Sequence, residues 1–444
     1  MLVYSPQITP RITYTLDLVL RQWMGIEFRV TKCRFEFEDS LESKLCYAEE
    51  LVAGSLWIKP SGFLERNDVV PVDISAQGNG ADFVCFPQAE GSLPFDLFSA
   101  VFYMVSRYEE YLPFTPDSHG RFPSMASVLV KNDIHEIPIV DIWVARLAAL
   151  LKSTYPFLSV KTKPIQCLVH VDVDNAFAHK GKGIVRTCGK VARSFASLQF
   201  KEALEIISTS LDYKHDAFDT YAEISEAAST ASVEQRWYFL LGNLTKFDRP
   251  VSWRSKLMKR AMESAASKGE VGIHPSYEAG FNLALLKEEV SRFTTIMGKQ
   301  PEISRFHYLR FRFPESFRLL VEVGVKHDYS LGFTDRVGYR AGTARPFPFF
   351  NLIENRAESL VLHPSVIMDS ALNYQMGLSA DASIQKVSKL FRQQQNTGGE
   401  FGVVFHNEIL SRISPWKGWE RYFYSVLKLD EKNNGVSGQS ATPR

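Results

Sequence analysis

After Pro164 the sequence alternates short strand-like runs with longer helical ones, and this pattern limits the possible folds more than any other feature. Strand character falls at 167–174, 236–241, 271–275, 304–309, 325–331, 359–368 and 400–406. Helical periodicity falls at 200–210, 253–267, 281–297, 314–322, 382–395 and 418–428. Such alternation predicts a parallel sheet, open or closed into a barrel, because parallel neighbours need a long crossover and a helix supplies it. In either form the chemistry gathers at the C-terminal ends of the strands. The stretch from 175 to about 230 is longer than one loop requires, which predicts helical insertions near that end.

A chain of 444 residues is long for one core and predicts two domains. Residues 1–160 read as a smaller α/β domain, 161–429 as the strand–helix domain, and 430–444 as a polar, disordered tail. In the first region strands are expected at Gly25–Val30 and Ser55–Ile58, and helices over Asp96–Tyr111 and Val140–Ser153. Pro113, Pro116, Gly120 and Pro123 break the chain between those helices. The clusters Arg107–Tyr111 and Asp117–Phe122 read most simply as a helix end with ion pairs and a capped loop.

A formal net charge of +1 argues against a large electrostatic footprint for nucleic acid or acidic membranes. Five cysteines in no CxxC spacing point to reduced thiols, with neither a disulfide framework nor a zinc knuckle. The N-terminus lacks a basic start followed by an apolar core, and no apolar run is long enough to span a bilayer, so a cytoplasmic protein is expected.

Polar residues end several of these strands. Asp172 and Asp174 close the first, two positions apart and therefore on one face. Two carboxylates side by side repel unless a cation or strong donors sit between them, so a metal site and a solvated pair opening a loop are both admissible. His274, His307, Asp328 and His406 lie at or near the ends of later strands. A lone histidine is more often structural; several at strand ends after an Asp-x-Asp opener favour a site.

The ordered set VHVDVDNA, GIHPSYEAG, SRFHYLRFRFP, DYSLGF followed by GYRAGTARPF, and FGVVFHNE resembles the polysaccharide deacetylase family, the fourth carbohydrate esterase family. RYEEYL and DxHGRF, both present here, resemble signatures of a divergent bacterial branch with an N-terminal domain of uncharacterised role. The resemblance implies a deformed (β/α) barrel holding a divalent metal, usually zinc, and acting on a carbohydrate. It implies a catalytic base at Asp172 and a metal-binding carboxylate at Asp174. His274 matches the first histidine of the family's His-x-x-x-His motif, but Glu278 stands where the second is expected. Either His307 or Glu278 then completes the metal set, with His307 preferred for the arginines around it. Arg305 or Arg310 would orient the base, and His406 would serve as the acid. Asp328 and Asp369 are possible partners for histidines, and Arg340 and Gly342 would shape the mouth.

The implied activity is removal of an acyl group, acetyl in the simplest case, from an N-acylated sugar. Two rivals remain: a barrel that has lost its metal and binds a glycan or protein, and a phosphohydrolase. The second is weakened by the lack of a Gly-rich phosphate cradle. Nothing in the sequence specifies an oligomeric state.

Overall fold

The computed structural model describes residues 1–161 and 163–429; the tail expected at 430–444 lies outside them. Four short strands open the chain: β1 (Leu2–Tyr4), β2 (Arg29–Thr31), β3 (Lys44–Cys46) and β4 (Leu56–Trp57). They pair in parallel in the order β2-β1-β3-β4. The helix expected over 96–111 is shorter, Leu97–Val105, capped by Asp96 Oδ1 accepting from Ser99 N at 3.1 Å. Arg107 then adopts a φ of 52°, a left-handed conformation that no helix of L-residues continues.

Ion pairing accounts for that break. The buried Arg107 donates to Glu109 at 2.8 Å and to Glu110 at 2.9 Å. Glu110 also accepts both arms of Arg340, at 2.9 and 2.6 Å, across 230 positions of sequence. Burial disfavours a charged Glu110, but Arg340 and Arg107 outweigh it and hold the carboxyl below its ordinary range. RYEEYL therefore ties the first region to the second. Arg340, expected at the mouth, is committed to this pair and to Gly332 O at 3.0 Å.

The rest of the chain builds one curled sheet. Its strands are β5 (Ile165–Val173), β6 (Glu234–Phe239), β7 (Glu270–Ile273), β8 (Ile303–Ser304), β9 (His327–Leu331), β10 (Phe347–Asn351), β11 (Arg356–Pro364), β12 (Ile367–Met368) and β13 (Gly399–His406). Their order is β10-β11-β9-β8-β7-β6-β5-β13-β12, all parallel except the β10–β11 pair. The run 356–368 pairs on both sides, β11 with β9 and β12 with β13. At the changeover Ser365 N donates to Leu331 O at 3.0 Å and Val366 N to Gly402 O at 2.9 Å. The sheet thus curls back onto itself.

Leu168 to Val173 are all buried, as expected for a parallel strand covered on both faces. Val169, Val171 and Val173 face the main apolar cluster, which includes residues from Val3 to Leu429. The alternate positions, His170 and Asp172, face inward, where His170 meets Tyr238 OH at 3.0 Å. The strand expected over 304–309 pairs only at Ile303–Ser304; His307–Leu309 forms a tight turn, with positive φ at Tyr308 and Leu309. The insertion after β5 carries three helices, Ile184–Ala196, Phe200–Ser210 and Tyr221–Thr230. Among the described residues no helix is long and apolar enough to cross a membrane.

Candidate metal centre and its pocket

Asp174 follows the last residue of β5, and three imidazoles from other strand ends converge on it. Its Oδ1 lies 3.0 Å from His274 Nε2; its Oδ2 lies 3.3 Å from His307 Nε2 and 3.6 Å from His406 Nε2. His274 follows β7, His307 follows β8, and His406 ends β13.

Each ring is held from its far side. His274 Nδ1 bonds Arg305 O. His307 Nδ1 bonds Asp248 Oδ1 at 2.9 Å. His406 Nδ1 bonds Asp369 Oδ1 at 2.7 Å, and Asp369 Oδ2 accepts from His406 N at 2.8 Å. A carbonyl oxygen only accepts, so His274 carries its proton on Nδ1 when neutral and turns an Nε2 lone pair towards Asp174. The carboxylate behind His307 selects the same tautomer.

Lone pairs facing a carboxylate from 3.0–3.3 Å repel unless positive charge lies between them. One donor atom from each of Asp174, His274 and His307 lies within 4.8 Å of the others. Carboxylate oxygen with two imidazole nitrogens is a donor set suited to zinc and similar divalent ions. The carbonyl and carboxylate behind the rings are the outer partners such ligands normally have. Asp174 Oδ1 is buried without a hydrogen-bond partner, which a cation would supply. The same carboxylates also draw a proton onto the imidazoles, a competing source of positive charge that a bound cation would displace. Burial opposes charge on His307, yet Asp174 and Asp248 together push it up to about 9. Burial also disfavours charge on Asp174, but His307, His274 and His406 hold it well below the usual carboxylate range.

Beside this cluster, Asp172 is clamped by Arg305. Arg305 is fully buried and donates from Nε to Asp172 Oδ2 at 2.9 Å. Its Nη1 is anchored to Tyr329 O at 2.5 Å and Ser365 Oγ at 3.2 Å. The other oxygen, Asp172 Oδ1, is buried and has no hydrogen-bond partner. Asp172 and His406 are register neighbours on adjacent parallel strands, so they stand side by side. Burial works against a charged His406, but Asp369, Asp174 and Asp172 outweigh it and hold the imidazole well above its ordinary range.

The structure separates the remaining sequence candidates. Glu278 is more than half exposed and pairs with Arg310 at 3.1 Å, away from Asp174. Arg310 also donates to His119 O at 3.0 Å and to Tyr277 O, and lies over the Tyr277 ring. It contacts neither carboxylate of the opening pair. Asp328 bonds Ser304 and Ser330 rather than a histidine, whereas Asp369 is the partner of His406.

Sequence reasoning missed Asp248 and gave His119 and Arg121 no role. Asp248 lies in the loop after β6 and accepts from Tyr277 N at 2.9 Å as well as from His307. The available signal was an acid in the loop at the C-terminal end of a central strand. Asp117 Oδ1 accepts from His119 N and Arg121 N, each at 2.9 Å, folding residues 117–121 into a tight loop. Arg121 Nη1 donates to Tyr308 O at 2.6 Å, which seats this loop over the end of β8. A cavity of about 380 Å³ opens above the cluster. His119, Arg121, Tyr308, Tyr374, Glu408 and Trp416 form its upper wall.

A family model described as a family of unknown function (DUF7033) matches residues 1–156. No curated protein matches the chain. Among solved structures, the chain is similar to a candidate polysaccharide deacetylase from Mycobacterium smegmatis at 13% identity and a TM-score of 0.39, covering 64% of this chain and 94% of that one. A polysaccharide deacetylase from Bacillus cereus shows 13% identity and a TM-score of 0.30, with coverage of 61% and 89%. A candidate glycoside hydrolase/deacetylase from Parabacteroides distasonis shows 9% and 0.36, with coverage of 62% and 68%.

Proposed function

We propose that this protein is a divalent-metal-dependent hydrolase that removes an acyl group, acetyl in the simplest case, from an N-acylated sugar. The observation that carries the reading is one cavity containing three elements: the Asp174–His274–His307 set, the Arg305-clamped Asp172, and the Asp369-held His406.

Zinc or a similar ion on Asp174, His274 and His307 would polarise the amide carbonyl and acidify water. The chain's own groups divide the proton traffic. Arg305 occupies Asp172 Oδ2 and leaves Oδ1 free to accept a proton as water attacks the carbonyl carbon. His406 keeps Nδ1 on Asp369 and points Nε2 into the cavity. As imidazolium it delivers its own Nε2 proton to the nitrogen as the C–N bond breaks, giving a free amine and a carboxylic acid; the proton left on Asp172 is then available to recharge the imidazole. Tyr308 and Tyr374, both partly exposed, offer aromatic surface at the mouth on which the apolar side of a pyranose can rest.

The test is amine release from N-acetylated oligosaccharides by the zinc-loaded full chain. The wild type is expected to release amine, and Asp172→Asn is expected to keep the metal and lose turnover. No release from any N-acylated saccharide by metal-loaded wild type, or equal turnover by the variant, would overturn the assignment.

A further inference from the structure

The DxHGRF loop, 117–122, belongs to the first region yet reaches the metal centre. Asp117 folds it: Oδ1 accepts from His119 N and Arg121 N, and Oδ2 lies 2.7 Å from both Nε and Nη2 of Arg121. Gly120 sits at a φ of 77°, the left-handed conformation that this turn needs and that glycine takes without steric cost. Phe122 is buried and packs edge-on against Phe114 at 5.0 Å, which roots the loop in its own region. With Nε and Nη2 held by Asp117, one arm of Arg121, Nη1, is left to reach across to the sheet.

That arm meets a strained turn. His307 is followed by Tyr308 and Leu309 at φ of 59° and 46°. Residues with side chains hold such conformations only where the surrounding structure over-determines them. Phe311 N, which a continued 3-10 turn would direct at Tyr308 O, bonds Leu309 O instead at 3.1 Å. Tyr308 O takes its bond from Arg121 Nη1 at 2.6 Å. Two arginines that follow β8 grip the loop in return. Arg310 Nε donates to His119 O at 3.0 Å, and Arg312 Nη2 donates to Gly120 O at 3.2 Å. The Tyr308 ring contacts those of His307 and His119, with centroids 4.6 and 5.2 Å away.

We propose that Arg121 is a positioning residue of the metal centre: by fixing Tyr308 O it sets the turn that aims His307 Nε2 at Asp174. The first region is through this bond a working part of the site. His307 needs the support, because β8 pairs over only two residues and ends before it. His307 N donates to Pro275 O at 3.1 Å and secures the near side of the turn; Arg121 secures the far side. The inference rests on the metal reading of Asp174, His274 and His307 and asks nothing of the reaction.

The test is titration of cobalt(II) into the metal-free full chain, read by its visible absorption bands, whose position and intensity report ligand geometry. The wild type is expected to give saturable bands. Arg121→Ala should weaken cobalt binding by about tenfold and shift the bands. Arg121→Lys keeps a cation beside Asp117, and so the fold of the loop, and should recover part of the affinity. Arg312→Ala cuts another tie of the same loop without touching Tyr308, and should leave affinity and bands as in the wild type. Arg121→Ala protein with wild-type affinity and bands would overturn the proposal. So would Arg312→Ala protein that changes them as much, which would assign the effect to loop docking at large. Wild-type protein with no saturable bands would overturn the metal reading and this inference with it, a failure distinct from the other two.

Discussion

Arg305→Met removes the guanidinium that holds Asp172 while keeping an apolar stem of similar length. In the wild type the pair is 2.9 Å apart with side-chain exposures of 0% and 4%. Asp172 Oδ1 already lacks a partner, so losing Arg305 leaves a buried carboxylate with neither oxygen satisfied. Breaking one side of such a pair costs about 3–5 kcal/mol. Asp172→Asn alone strands the buried guanidinium and should cost a comparable amount, offset in part by the bonds to Tyr329 O and Ser365 Oγ. The double variant carries no unpaired charge at this position. Its loss should fall short of the summed single losses by roughly 2 kcal/mol or more, as expected for groups in direct contact. Urea unfolding of the four proteins, all metal-free, gives the cycle. A coupling within about 0.5 kcal/mol of zero would refute the claim that Arg305 exists in this fold to hold Asp172.

Two further outcomes follow from the outer partners. Asp248→Asn keeps the shape behind His307 but removes the carboxylate on its Nδ1; zinc affinity should fall about 10–100-fold, read by competition with a chromogenic chelator, and an unchanged affinity would refute the orienting role. Glu289 is buried beneath Ser276, two residues from His274, and burial raises its carboxyl from 4.5 to about 7. The folded chain then holds this proton more tightly than the unfolded one. Stability from this group is full below the unfolded value of 4.5 and is lost as pH rises through about 7, by about 3 kcal/mol in all. Glu289→Gln should flatten that part of the thermal midpoint profile; an identical slope in both proteins would refute the assignment.

The strand–helix alternation, the shared face of Asp172 and Asp174, and the histidines at later strand ends were legible because period-two alternation encodes which way a strand residue points. Arg305 and Asp369 carried no such signal of which partner each would meet. Arg305 acts from just past a two-residue strand and reaches Asp172 across 133 positions. Asp248 lies in a loop with no periodicity, so only the folded sheet reveals that it stands behind His307. The helix end at RYEEYL read as local ion pairing, which is correct for Arg107 and Glu110 but incomplete, since Arg340 enters from the far half of the chain. The two-sided pairing of 356–368 is a property of sheet curvature, and a strand pattern alone does not specify which neighbours a strand will have.

Calorimetric titration of zinc into the metal-free full chain tests the centre most directly. One zinc bound per chain, with binding lost in His307→Ala and kept in Glu278→Gln, is the predicted result. Absence of zinc binding, or binding that survives removal of His307, would contradict a centre built on Asp174, His274 and His307.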